Sequence, residues 1–226
     1  MNKSVCVRPN YVTRAVNNLK GTDISVACVI GFHEGTYSTH HKTEEVTKAL
    51  EAGADELDIV INYPQLQSGD YESIYTELAT LRSLAPHPVV LKLILETSQL
   101  TPSQIVAGSV LAASANFDFI KTSTGFNGRG ATLDDIYLMR AATTELAKRS
   151  IGQRVDGNVV PMSIKASGGV RSLKDAIKMI EAGATRIGTS SGVWIMQGAR
   201  EVVGIDNWER PGVSRLWSDE SENGGY

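Results

Sequence analysis

The sequence predicts an α/β fold, a parallel sheet or barrel of repeated strand–helix units, and three observations carry that expectation. Short runs rich in Val, Ile and Leu alternate along the chain with helical segments, the pattern of parallel strands buried on both faces. Several helical segments open on recognisable caps. The unit Glu51-Ala52-Gly53-Ala54 recurs as Glu181-Ala182-Gly183-Ala184, each time ending a helix just before a strand. Glycine suits that place because the turn out of a helix often needs positive φ, and a repeated helix–glycine–strand unit means βα modules.

In chain order the expected strands are Ser4–Val7, Ser25–Ile30, Leu57–Ile61, Val89–Leu95, Phe117–Lys121, Met162–Lys165 and Thr185–Gly188. Helix starts lie between them. Thr101-Pro102 sets a capping hydroxyl before a proline at the first helical position. Thr132-Leu133-Asp134-Asp135 and Ser172-Leu173-Lys174-Asp175 place a cap residue three positions before an acid, close to a capping box. The stretch Ser150–Asn158 is polar and reads as a loop. No linker interrupts the pattern, so residues 1–203 are expected to form one barrel domain. Residues 204–226, polar and rich in Gly, Ser and Glu, are expected to extend outside it.

Composition excludes several function classes. A chain of 226 residues with 42% apolar content can bury a core as one domain. A net charge of -3 shows no nucleic-acid groove and no polybasic membrane patch. The opening apolar segment, Ser4–Val7, is far too short for a signal peptide, and no apolar run approaches the ~20 residues of a membrane span. Cys6 and Cys28 both fall in strand-like runs and read as two buried thiols of a reducing cytosol, which makes the expected location cytoplasmic.

Three charged residues sit where charge is expensive. Asp58 lies within Leu57-Asp58-Ile59-Val60-Ile61, Lys121 ends Phe117-Asp118-Phe119-Ile120-Lys121, and Lys165 lies within Met162-Ser163-Ile164-Lys165-Ala166. Strand side chains alternate faces, so Asp58 shares a face with Val60 and Asn62, and Lys165 with Ser163 and Ser167. A lysine facing the helix layer would be buried and unpaired. Lining the barrel at the strand C-terminal ends is cheaper, and barrel enzymes hold their sites there. Two lysines together suit a nucleophilic amine. A free lysine is neutral in roughly one molecule in two thousand at pH 7. A second ammonium and desolvation both lower that pKa, and an aspartate can shuttle the protons of imine formation.

Two glycine-rich turns follow the last two strands: Ser167-Gly168-Gly169-Val170-Arg171, and Gly188-Thr189-Ser190-Ser191-Gly192 before a helix start. Glycines let backbone N–H groups approach an anion, a helix N-terminus adds a favourable dipole, and loops after the last strands are the usual phosphate site of a barrel. His33, His40 and His41 stand near Glu34 without a clear ligand spacing. Neither a metal nor another cofactor is expected.

Four segments in order resemble one family, the deoxyribose-phosphate aldolases, from about Ser4 to Val193. Phe119-Ile120-Lys121-Thr122-Ser123-Thr124-Gly125 is similar to its Schiff-base signature, and Lys165-Ala166-Ser167-Gly168-Gly169-Val170-Arg171 to its second-lysine motif. Ala54-Asp55-Glu56-Leu57-Asp58-Ile59-Val60-Ile61-Asn62 resembles its aspartate strand, and Ala182-Gly183-Ala184-Thr185-Arg186-Ile187-Gly188-Thr189-Ser190-Ser191 its phosphate strand. The resemblance implies a TIM (β/α)8-type barrel on which Lys121 forms the imine, Lys165 lowers its pKa, and Asp58 and Lys165 share a proton relay. It implies that Thr124, Gly125, Gly168, Gly169, Gly188, Ser190 and Ser191 surround a phosphate. The implied reaction is reversible cleavage of 2-deoxyribose 5-phosphate to glyceraldehyde 3-phosphate and acetaldehyde, in deoxyribonucleoside catabolism. The expected partners are a small phosphosugar and, as one option, a second copy in a homodimer. Lys92 resembles another barrel-facing lysine of the family, placed to balance Asp58 or Glu96. The family's usual proline is replaced by His33.

Two expectations concern the ends. The terminal Tyr226 closes a flexible Glu222-Asn223-Gly224-Gly225 stretch and could bring a phenol to the site as a proton relay. The seven strands lack the family's first, so Ser4–Val7 and Thr185–Gly188 are expected to face each other across a gap. On that reading the chain is an N-terminally truncated, weakly active or inactive aldolase. An imine aldolase acting on another phosphosugar is the further alternative.

Overall fold

A computed structural model describes residues 3–151, 153–155 and 158–203. Strand and helix alternate as β1 (Ser4–Val7), α1 (Val12–Asn18), β2 (Ser25–Ile30), α2 (Thr39–Glu51), β3 (Glu56–Val60), α3 (Tyr63–Ser68), α4 (Tyr71–Leu84), β4 (Val90–Ile94) and α5 (Pro102–Ser114). The second half runs β5 (Phe119–Lys121), α6 (Leu133–Lys148), β6 (Gln153–Val155), β7 (Asn158–Val160), β8 (Ser163–Ser167), α7 (Leu173–Ala182), β9 (Arg186–Gly188) and α8 (Gly192–Val203). The caps form as the residues dictate. Thr101 with Gln104 and Thr132 with Asp135 close capping boxes, and Ser172 accepts from the Asp175 N–H. Gly53 and Gly183 take φ of +95 and +125 at the two repeated helix ends.

Seven strands make one sheet in the order β1-β2-β3-β4-β5-β8-β9, with every neighbouring pair parallel. The two faces differ sharply. Cys28, Ile30, Leu57, Ile59, Leu91, Leu93, Ile120, Ile164 and Ala166 join the helices in the main hydrophobic core. The opposite parity carries Glu56, Asp58, Lys92, Lys121, Lys165 and Arg186, in register from β3 to β9. A flat sheet with strands about 4.8 Å apart would set β3 and β8 about 14 Å apart. Yet Asp58 Oδ2 and Lys165 Nζ are 2.7 Å apart, and Glu56 meets Arg186, four strand positions away, at 2.7 Å. The sheet therefore curls round its polar face as a half-barrel. Among the described residues β1 and β9 are its edges and do not pair with each other.

Two local expectations are corrected. The stretch read as a polar loop, Ser150–Asn158, contains β6 and the start of β7, paired as an antiparallel hairpin. Its signal is the Asp156-Gly157 pair between Arg154-Val155 and Val159-Val160, a strong hairpin cue. Cys28 is buried as expected, but Cys6 is exposed, because β1 is an edge strand with a neighbour on one side only. Residues 204–226, read as the tail, lie outside the described residues. Among the described residues no helix is long and apolar enough to cross a membrane.

Among the described residues the helix layer holds two buried ion pairs, Arg82 with Asp118 and Lys42 with Glu77. Lys42 of α2, fully buried, donates to Glu77 Oε1 at 2.6 Å and to the Val60 carbonyl at 2.9 Å. Glu77 of α4 also accepts the Thr39 hydroxyl at 3.0 Å, which ties both helices to the end of β3. Removing one partner strands the other in a dry interior. Glu77→Gln is expected to lower unfolding free energy by about 3 kcal/mol, measured by urea denaturation. A change below about 0.5 kcal/mol would mean that the pair is dispensable.

Candidate active site

Asp58, at the centre of β3, has no solvent exposure. Its Oδ1 accepts Lys92 Nζ at 2.7 Å, and its Oδ2 accepts both Lys121 Nζ at 2.8 Å and Lys165 Nζ at 2.7 Å. The three catalytic candidates from three strands thus meet at a single carboxylate. Lys92 reaches on to Glu56 Oε2 at 2.6 Å, and Glu56 accepts Arg186 Nη1 at 2.7 and 2.9 Å. Arg186 also lies over the Phe119 ring, 4.7 Å from its centroid. Lys92 therefore balances Asp58 and Glu56, not Glu96.

Four cations, Lys92, Lys121, Lys165 and Arg186, face two carboxylates, Glu56 and Asp58, on this surface. Burial alone would push Asp58 up, but Lys121, Lys165 and Lys92 together hold it well below the usual carboxylate range. The two lysines on Oδ2 respond oppositely. Burial pushes Lys121 below its ordinary value, Asp58 opposes, and the Lys165 ammonium adds to the fall. Burial works most strongly on Lys165, against its charge, but Asp58 and Cys6 together hold that ammonium above its ordinary value. The pair divides into an amine that loses its proton more readily and an ammonium that keeps it.

Above the lysines, three turns converge at the strand ends. Gly125, Gly168 and Gly169 have φ of +91, +83 and +77. A Cβ on Gly130 would lie 2.2 Å from the Gly168 carbonyl oxygen, so the turn after β5 packs directly on the turn after β8. Among the described residues the N–H groups of Gly125, Gly169 and Ser190 have no hydrogen-bond partner. Gly188 matters for space instead, since a Cβ there would lie 2.2 Å from Ser167 Oγ and 2.9 Å from Lys165 Cε. Its missing side chain makes room for Lys165. The Ser191 N–H is engaged by Thr189 Oγ1 at 2.9 Å, and the Thr124 N–H and hydroxyl both go to Glu96.

Other residues fall elsewhere. His40 and His41 pair with Glu44 and Glu45 along the surface of α2, and His33 stacks on Phe126 with ring centroids 5.3 Å apart. Tyr226 lies outside the described residues. Sequence reasoning missed Glu56 and Arg186, and it named Glu96 only as a partner for Lys92, whereas Glu96 binds Thr124. Glu56 and Arg186 had a usable signal, since each stands two residues from a recognised inner position, Asp58 and Gly188. Cys6 was named only as a buried thiol, yet its Sγ lies 3.9 Å from Asp58 Oδ2.

The fold and this site define an α/β half-barrel enzyme with a buried lysine pair. Residues 2–198 match the model described as DeoC/LacD family aldolase, and the chain belongs to that family. It is an aldolase, a carbon–carbon lyase. The deoxyribose-phosphate aldolase of Coccidioides immitis is 47% identical over 197 residues, 87% of this chain and 69% of that protein. A crystal structure described as a deoxyribose-phosphate aldolase from the same organism superposes with a TM-score of 0.79 at 46% identity, covering 88% of this chain and 73% of that one. The tetrameric deoxyribose phosphate aldolase of Aeropyrum pernix superposes with a TM-score of 0.71 at 29% identity, covering 87% and 77%.

Replacing Asp58 by Asn leaves Lys92, Lys121 and Lys165 without their shared counter-charge. The expected loss of unfolding free energy is about 3–5 kcal/mol near neutral pH. The folded pKa of Asp58 lies below its unfolded value, so its contribution is full above the unfolded pKa of about 3.9 and is lost as pH falls through the folded value. Denaturation of both proteins across acid pH should show the difference shrinking. A pH-independent difference would refute a charge-based origin.

Proposed function

We propose that this chain reversibly cleaves 2-deoxyribose 5-phosphate to glyceraldehyde 3-phosphate and acetaldehyde through an imine on Lys121. One observation carries the reading: two buried lysines share Asp58 Oδ2, and the one set to lose its proton ends β5, beneath turns with free amides. The deoxyribose-phosphate aldolase names of the relatives support the choice of sugar.

Neutral Lys121 attacks C1 of the open-chain aldehyde. The carbinolamine takes a proton at its hydroxyl and loses water, leaving a cationic imine. Lys165, held charged by Asp58, supplies that proton and Asp58 stabilises the ammonium as it re-forms. Lys165, neutral after that donation, takes the proton of the C3 hydroxyl as the C2–C3 bond breaks. C3 leaves as the aldehyde of glyceraldehyde 3-phosphate, and the electron pair collects in an enamine on Lys121. Lys165 returns that proton to C2, which regenerates the imine, and water releases acetaldehyde, with the proton freed on hydrolysis restoring the Lys165 ammonium. The Gly125, Gly169 and Ser190 amides bind the phosphate while C1 reacts at Lys121. The same reading implies a cytoplasmic location, a role in deoxyribonucleoside catabolism and a homodimer.

Borohydride added with acetaldehyde should fix a two-carbon adduct on Lys121, read by peptide mass spectrometry, and Lys121→Leu should abolish it. An adduct on Lys165 and none on Lys121 would reverse the assignment. Lys165→Leu removes a neighbouring ammonium and leaves Asp58 with one fewer cation to satisfy. Both effects raise the pKa of Lys121, so trapping should shift to higher pH. An unchanged pH profile would show that Lys165 does not tune its neighbour.

A further inference from the structure

One buried carboxylate at the strand ends has no part in the imine chemistry. Glu96 follows β4 and is fully buried. Its backbone has φ +56, in the left-handed region that glutamate seldom enters. Its oxygens accept the Thr124 N–H at 3.2 and 3.3 Å, the Thr124 hydroxyl in a short bond, and Asn127 Nδ2 at 3.5 Å. Burial pushes the Glu96 carboxyl up, and the Thr124 donors pull it back.

These donors belong to one segment, the turn after β5. Asn127 extends the tie by donating to the His33 carbonyl at 2.8 Å, and its own carbonyl accepts Ser98 Oγ at 2.5 Å and Gln99 Nε2 at 3.1 Å. The loops after β2, β4 and β5 are thereby held as one. On the opposite flank the same turn packs on the glycines after β8, with Gly125 Cα 3.7 Å from where a Gly168 Cβ would stand. The Thr124 N–H points into Glu96, whereas the next N–H, that of Gly125, has no partner among the described residues.

We infer that Glu96 is a positioning residue for phosphate. Glu96 captures the N–H and the hydroxyl of Thr124, and Thr124 Oγ1 in turn accepts the Phe126 N–H at 3.1 Å across Gly125, which fixes the turn so that the Gly125 N–H completes an anion nest with the Gly169 and Ser190 amides. Glu96 touches no substrate; it acts through the loop. Thr124, expected from the sequence to face the phosphate, becomes the latch instead. The inference deepens the phosphosugar reading and rests on it for the identity of the anion.

The test compares Glu96→Gln, Thr124→Val and the double variant with the parent chain. Gln keeps the size but turns an amide group toward donors that need an acceptor. With 2-deoxyribose 5-phosphate, KM should rise about tenfold or more in each single variant, the scale of one lost charge-assisted hydrogen bond to the anion. Unphosphorylated 2-deoxyribose should lose much less. The double variant should be no worse than the poorer single one, since both break one latch. Affinity for inorganic phosphate, measured by calorimetry, should fall by a similar factor. That measurement tests the latch even where the parent chain fails to cleave the sugar, an outcome that sinks the functional reading alone. Should Glu96→Gln not fold, Thr124→Val decides. Equal losses for both sugars, or unaltered phosphate affinity in a folded variant, would overturn the inference.

Discussion

A carboxylate with no exposure, bound by three lysines, is the constraint on which the rest of this structure depends. Asp58 cannot remain charged in the interior without cations, and its three partners, Lys92, Lys121 and Lys165, come from β4, β5 and β8. Satisfying them requires the sheet to curl until strands three positions apart meet. Glu56 and Arg186 extend the requirement to β9. The arrangement is costly as a source of stability, since desolvation offsets much of the attraction. Its return is chemical, because it holds one amine ready to lose a proton beside an ammonium that keeps its own.

Curvature also explains the division of labour between the faces. The outward parity of the strands is apolar and packs on the helices, and it supplies most of the core. The inward parity is free to carry charge, because the ion pairs satisfy one another without reaching water. Glycine serves this inner face by absence. At Gly188 the missing Cβ leaves space for Lys165, and at Gly130 it lets one turn lie on another. Glu96 does the complementary work at the strand ends, filling a strained backbone position with a carboxylate whose donors all come from the turn above Lys121.

The chain alone carries much of this. Alternating Val/Ile/Leu runs and capped helices located seven strands within a residue or two, because local burial and capping leave marks at periods of two and 3.6 residues. Asp58, Lys121 and Lys165 were legible for the same reason: charge inside a buried strand is rare enough to demand a partner. The hairpin of β6 and β7 was overlooked because its polar composition outweighed the Asp156-Gly157 turn signal. Cys6 was misplaced because burial of a strand residue depends on its neighbours, and an edge strand cannot be recognised from its own residues.

What the sequence determined by itself was the order of elements, the parity of each strand and the residue types able to carry imine chemistry, since these depend on interactions between near neighbours in the chain. Tertiary structure alone decided the pairings. Lys92 joins Glu56 and Asp58, not Glu96. Arg186 crosses to Glu56, 130 residues away in sequence. Thr124 gives both its donors to Glu96, leaving the neighbouring Gly125 amide open. Such choices are set by the curl of the sheet and the direction of single N–H groups, and both emerge only when strands far apart in the chain are brought within hydrogen-bonding distance.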